Sequence, residues 1–101
     1  MLTTKTQPLE VAARVLTHDS ITELKRGSFG LREWKVADRW ASSTPTQLAA
    51  LEAKGQILLL DAISQQAHRE RTSLALANDQ LRTMTEEEYL QQAGIELQLQ
   101  V

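Results

Sequence analysis

The feature that most constrains this chain is the aliphatic run over residues 44–66, TPTQLAALEAKGQILLLDAISQQ. It opens on a helix start signal. Thr44 is a candidate cap, Pro45 suits the first helical position, and Gln47 stands where a capping-box partner belongs. Leu48, Leu51, Leu58, Leu59, Ala62 and Ile63 then recur at helical spacing. Only Phe29, Trp34, Trp40 and Tyr89 are aromatic, so the core must be built chiefly from Leu, Ile, Val and Ala. With 101 residues the chain is of one-domain size, enough to bury about two-thirds of its unfolded surface. The pattern predicts a mainly α, single helical domain over residues 1–101. Residues 1–7 and 95–101 are read as flexible or partner-bound.

Gly55 interrupts the central run and leaves two readings open. It could close a short helix over 45–54 through a left-handed cap, with residues 57–60 even forming a short buried strand. It could instead lie inside one long helix at a cost of about 1 kcal/mol relative to Ala. Residues 61–67 keep the helical pattern, which favours helix on both sides with a bend at Gly55. Leu74, Ala75, Leu76, Ala77 and Leu81 extend that pattern to about residue 82, the alternative being a break near residues 72–73.

On the N-terminal side, residues 9–16 fit a helix through Leu9, Ala12, Ala13 and Leu16, or a strand through Leu9, Val11, Ala13 and Val15; Pro8 and the alanines favour the helix. Ser20 and Glu23 suggest a capping box, with Lys25 and Arg26 at that helix's C-terminus and Gly27 ending it. Residues 31–41 read as an amphipathic helix whose stripe is Leu31, Trp34, Ala37 and Ala41. Trp34 and Trp40 are six residues apart and point in different directions, so one is expected in the core and the other at a partner surface.

The C-terminal signals are sharper. Thr85 and Glu88 form a capping box, and Met84 and Tyr89 have the spacing of a hydrophobic staple. Glu86, Glu87 and Glu88 suit the positive end of the helix dipole, and Gly94 ends the helix. Residues 95–101 then alternate, Ile95, Leu97, Leu99 and Val101 on one side. That predicts a short strand, or a tail that adds to another chain's sheet edge.

Composition bounds the chemistry. The chain has no cysteine, which removes disulfides and thiolate metal sites, and fits a reducing compartment. A net charge of −2 ranks nucleic acid below protein as a partner. No apolar run reaches the roughly 18 residues of a spanning helix, and the first ten residues lack the apolar core of a secretory signal. A cytoplasmic protein without membrane contact is expected. His18, Asp19 and Ser20 are triad residue types, but a triad is defined in space and adjacent residues seldom satisfy it. His68 lies in a charged segment. Gly27-Ser28-Phe29-Gly30 lacks the Lys-Ser/Thr that completes a phosphate loop. Neither a catalytic site, a metal site nor a cofactor is expected.

Two resemblances bear on function. Residues 36–57, VADRWASSTPTQLAALEAKGQI, are similar to the helix–turn–helix of GntR-type winged-helix repressors. Residues 36–39 would end the first helix, and Ser43, Thr44 and Thr46 would open the second. That implies a DNA-binding regulator, but the second helix offers no Arg to grip guanine. Residues 21–40, ITELKRGSFGLREWKVADRW, resemble the start of some phage tail assembly chaperones. Leu31-Arg32-Glu33, Asp38, the aliphatic helix around 57–63 and Thr85 to Leu90 occupy comparable places, with Trp34 where those families carry Pro. The resemblance implies a non-enzymatic assembly factor that shields an elongated helical partner. Trp34, Trp40, Ile95, Leu97 and Leu99 are the expected partner-binding residues, for another protein or for self-association into an oligomer.

Overall fold

A computed structural model describes residues 8–26, 29–77 and 79–99, apart from the side chain of Gln80. The chain is a small, mainly α domain. A short 3-10 turn, Ala12–Arg14, precedes α1 (His18–Leu24), α2 (Leu31–Ser43), α3 (Pro45–Lys54) and α4 (Gln56–Ala75). A second 3-10 turn, Gln80–Arg82, leads to α5 (Glu86–Gln92). The long helix α4 is the backbone of the packing. Helices α2, α3 and α5 all lie against it, and the N-terminal turn lies on α2. The core joins Leu9, Leu16, Leu24, Val36, Trp40, Leu48, Leu59 and Ile63, with Leu99 closing it from the other end of the chain.

The central run is two helices. Gly55 sits between them at φ 151°, ψ 136°, a conformation essentially confined to glycine. The bent-helix expectation therefore gives way to a break one residue long, and residues 57–60 are helical rather than a strand. Thr44 does not cap α3 with its side chain. Its hydroxyl and its N–H both turn back to the carbonyl of Trp40, at 3.2 and 2.8 Å, and terminate α2 instead. Pro45 at the first turn needs no N–H partner, so α3 begins at once.

Helix α2 runs close to its predicted span, but its buried face is rotated. Glu33, Val36, Ala37, Trp40 and Ala41 point inward, whereas Leu31 is 62% exposed. Its start is held by Glu33, whose carboxylate accepts the Gly30 N–H at 2.9 Å. Helix α1 is capped by Thr17, not Ser20; the Thr17 hydroxyl accepts the Ser20 N–H, and Glu23 pairs with Arg26 instead. Gly27, expected to end α1, lies outside the described residues. Residues 9–16 form turns and the short 3-10 helix, with Leu9 at φ 68°.

At the C-terminal end the expected capping box is present. Glu88 N–H reaches the Thr85 hydroxyl at 3.1 Å, and the Glu88 carboxylate accepts the Thr85 N–H at 2.9 Å. Gly94, at φ 87°, closes α5 in a Schellman motif: Ile95 N–H bonds Leu90 C=O and Gly94 N–H bonds Gln91 C=O. The expected strand is absent among the described residues. Residues 95–99 form no regular element and bend at Gln98, and no strand among the described residues offers them a sheet edge. Their alternation is used against helices, burying Leu97 and Leu99. Gln100 and Val101 of the expected strand lie outside the described residues.

Candidate functional site

Polar residues gather where α2, α4 and the C-terminal tail meet. Glu70 projects from α4 with no solvent exposure. Both of its oxygens are engaged. Arg39 from α2 forks onto them, Arg32 reaches Oε1 at 3.3 Å, and the Gln66 amide donates to Oε2 at 2.8 Å. Arg32 and Arg39 are seven residues apart on one face of α2, so both can reach the same carboxylate. Arg32 also bonds Glu86 at 3.0 Å, and Lys35 approaches the same oxygen at 3.5 Å, which ties in the first turn of α5. A buried carboxylate is tolerated only with such pairing.

The same residues grip the tail through its backbone. Arg39 Nε and Trp40 Nε1 donate to the carbonyl of Leu97 at 3.1 and 3.0 Å, and Gln66 donates to the carbonyl of Glu96 at 2.8 Å. Three side-chain donors thus do for the tail what a neighbouring strand would do in a sheet.

Two further carboxylates organise the N-terminal segment. Asp38 of α2 accepts the N–H groups of Leu9 and Ala12, each at 2.8 Å. Glu52 of α3 accepts from the Thr17 N–H, the Thr17 hydroxyl and, at 2.6 Å, the Ser20 hydroxyl. Burial pushes the Glu52 carboxyl up, but these donors outweigh it and hold the group below its ordinary value. Glu33 behaves alike: burial is opposed by the Gly30 N–H, Arg71 and its own N–H, with a net downward shift. For Glu86 the same opposition comes from Arg32 and Lys35, again lowering the carboxyl.

The residues expected to bind a partner are placed as follows. Trp40, Leu97 and Leu99 are buried within the chain itself, and Ile95 is half-buried. Trp34 is half-buried at the core's edge, and its indole N–H donates to the Leu24 carbonyl at 2.6 Å. Of the tryptophans expected one in the core and one at a partner surface, Trp40 lies in the core and Trp34 at its edge, with both indole N–H groups bonded within the domain. His18, Asp19 and Ser20 do not form a triad. The Ser20 hydroxyl faces Glu52, whereas His18 faces Thr22 at 3.5 Å. No cluster of three or more His, Cys, Asp or Glu suited to a metal occurs among the described residues. No described helix is long and apolar enough to cross a membrane. The turn required by a helix–turn–helix is also missing where the resemblance puts it. Residues 40–43 continue α2, and Thr44 alone separates α2 from α3, where such motifs use a turn of about three or four residues. No protein-family model, curated protein or solved structure matches the chain.

Among the polar residues of the surface stand a few exposed aliphatic side chains. Ile57 is 81% exposed and Leu58 is 52% exposed, side by side at the start of α4 beyond the Gly55 corner. Leu58 was expected in the core stripe. The break at Gly55 resets the helical phase, so that Leu59 and Ile63 face inward and Ile57 and Leu58 face out.

Sequence reasoning missed the Glu70 clamp, although a signal was present. Glu70 falls seven residues after Ile63 and three after Ala67, in register with the buried stripe of α4. A charged residue at a core position asks for buried partners of opposite sign. Arg32 and Arg39, seven apart on an amphipathic helix, were the candidates.

Proposed function

We propose that this chain is a non-catalytic protein-binding module, an assembly factor or a small regulatory binder. The observation that carries this reading is the Ile57–Leu58 pair. Two adjacent branched aliphatic side chains stand in water at a sharp corner, while Glu33, Asp38, Glu52, Glu70 and Glu86 are each committed to bonds that hold the fold. An exposed apolar pair on a fixed frame suits docking against another protein better than it suits chemistry on a small molecule. The resemblance to phage tail assembly chaperones favours an elongated helical partner, and a helix laid across the α3–α4 corner would meet these side chains first.

The test is co-purification of the tagged chain from its native host, in parallel with the Ile57→Asp/Leu58→Asp variant. The expected result is a stoichiometric protein partner retained by the parent and lost by the variant, with the thermal midpoint of the variant unchanged. Retention of the same partner by both chains would remove the corner from the interface. A sequence-dependent nanomolar complex with duplex DNA, in place of any protein partner, would favour the regulator reading instead; non-specific binding alone falls at about 1–100 μM.

A further inference from the structure

Residues 85–99 form an arm, α5 followed by the irregular tail, that folds back onto α2 and α4. The arm carries Glu86, Glu87, Glu88 and Glu96 and no lysine or arginine. The face that receives it presents Arg32, Lys35 and Arg39. Leu90, Leu97 and Leu99 of the arm are buried there. The arm and its dock are complementary in charge and in apolar shape.

The link that lets the arm fold back lacks the strongest stop signals. Residues 76–84 contain neither Gly nor Pro, and their turn-favouring residues are Asn78 and Asp79. Leu76 is still in the helical region at φ −92°, ψ −3°, and Gln80–Arg82 form a 3-10 turn. Leu76 is 70% exposed and Leu81 is 37% exposed. If α4 ran on, Leu74, Ala77 and Leu81 would fall at i, i+3 and i+7, the seam by which one helix packs on another.

We propose that the arm is exchanged between two copies of this chain. In the exchanged form the link straightens as a continuation of α4, and residues 85–99 of each copy dock on the α2–α4 face of the other. Every contact of the arm is reproduced, so the two forms differ mainly in the link. The straightened links of two copies would cover Leu74, Ala77 and Leu81 against each other, including the Leu81 surface that the folded-back link leaves in water. The folded-back form is favoured at low concentration, because a tethered arm is present at an effective concentration in the millimolar range. The inference is independent of the partner-binding reading, which concerns the α3–α4 corner.

The experiment uses the full chain, unfolded and refolded over a concentration series that reaches about 1 mM, where exchange competes with the tethered arm. The samples are then diluted and sized by light scattering. The expected result is a dimer fraction that grows with refolding concentration and persists after dilution. In a mixture of isotope-labelled and unlabelled chains, magnetic resonance should find the Trp40–Leu97 contact between chains. A second full chain carrying Asn78→Ala and Asp79→Ala keeps Leu81 and favours helix through the link, and should raise the dimer fraction at least about tenfold at a given concentration. Monomer alone from both chains overturns the proposal. So does a dimer in which the Trp40–Leu97 contact stays within one chain. A dimer fraction in the substituted chain no higher than in the parent also overturns it, because a link that favours helix should favour exchange.

Discussion

The two ends of α4 are stopped in opposite ways. At its N-terminal end a single residue separates it from α3, and that residue is Gly55 at φ 151°. At its C-terminal end no glycine or proline intervenes, and the turn-favouring residues on the way to α5 are Asn78 and Asp79. The first stop is local, and is written in one residue. The second is weaker locally, and the arm beyond it is held by the Arg32–Glu70–Arg39 clamp, the Trp40 indole and the Gln66 amide. A local stop makes a sharp corner and can leave Ile57 and Leu58 exposed without consequence for the fold. An arm held by tertiary contacts is only as firmly placed as those contacts.

The largest effect should come from breaking the clamp. Glu70→Ala leaves Arg32 and Arg39 partly buried without their carboxylate, and should cost about 3–5 kcal/mol in urea unfolding. A loss under about 1 kcal/mol would mean that the arginines find water and that the clamp is not what holds the arm. Next, Leu99→Ala removes the arm's contribution to the main core and should cost about 2–3 kcal/mol. Exchange of the Trp40 indole hydrogen, which is bonded to the Leu97 carbonyl, should accelerate more than exchange of the Trp34 indole hydrogen.

The other end of α4 is probed by Gly55→Ala. The nearest side-chain atoms to an added Cβ belong to Leu58, at 3.9 Å, so space is available and the cost is conformational. It should be about 1–3 kcal/mol. A stabilised protein would instead mean that α3 and α4 run as one helix in solution. Thr85→Ala removes half of the capping box on α5 and should cost about 1 kcal/mol, read by the same denaturation.

The smallest effects are differences in pH dependence. Glu52 and Glu86 have folded-state carboxyls held below their ordinary values by the Thr17 and Ser20 donors and by Arg32 and Lys35, respectively. Each therefore binds its proton more readily in the unfolded chain. The stabilisation is present above the ordinary carboxylate value and is lost as pH falls through the lowered one. Glu86→Gln and Glu52→Gln should each make the acid side of the stability profile shallower. In the first, loosening should be confined to the arm, and in the second to α1. Identical profiles for the parent and both variants would show that these bonds do not persist in solution.

The sequence alone determined the elements whose signals are local. An amphipathic period places α2, a Thr and a Glu three apart place the start of α5, and Gly94 places its end. In each case the relevant partners lie within a turn or two, so periodicity and capping chemistry suffice. The mainly α class follows from the same information. Which face of α2 is buried and which hydroxyl caps α1 were decided by partners 30 to 60 residues away, such as Glu52 for Thr17 and Leu97 for Trp40. The tail shows the difference most plainly. Its alternation of Leu and Gln is real, but alternation specifies only that one side must be covered. Whether a strand, a partner or the chain's own helices cover it depends on what surface lies within reach. Here the tertiary structure supplies Trp40, Arg39 and Gln66, whose donors meet the tail's carbonyls and whose helices bury Leu97 and Leu99.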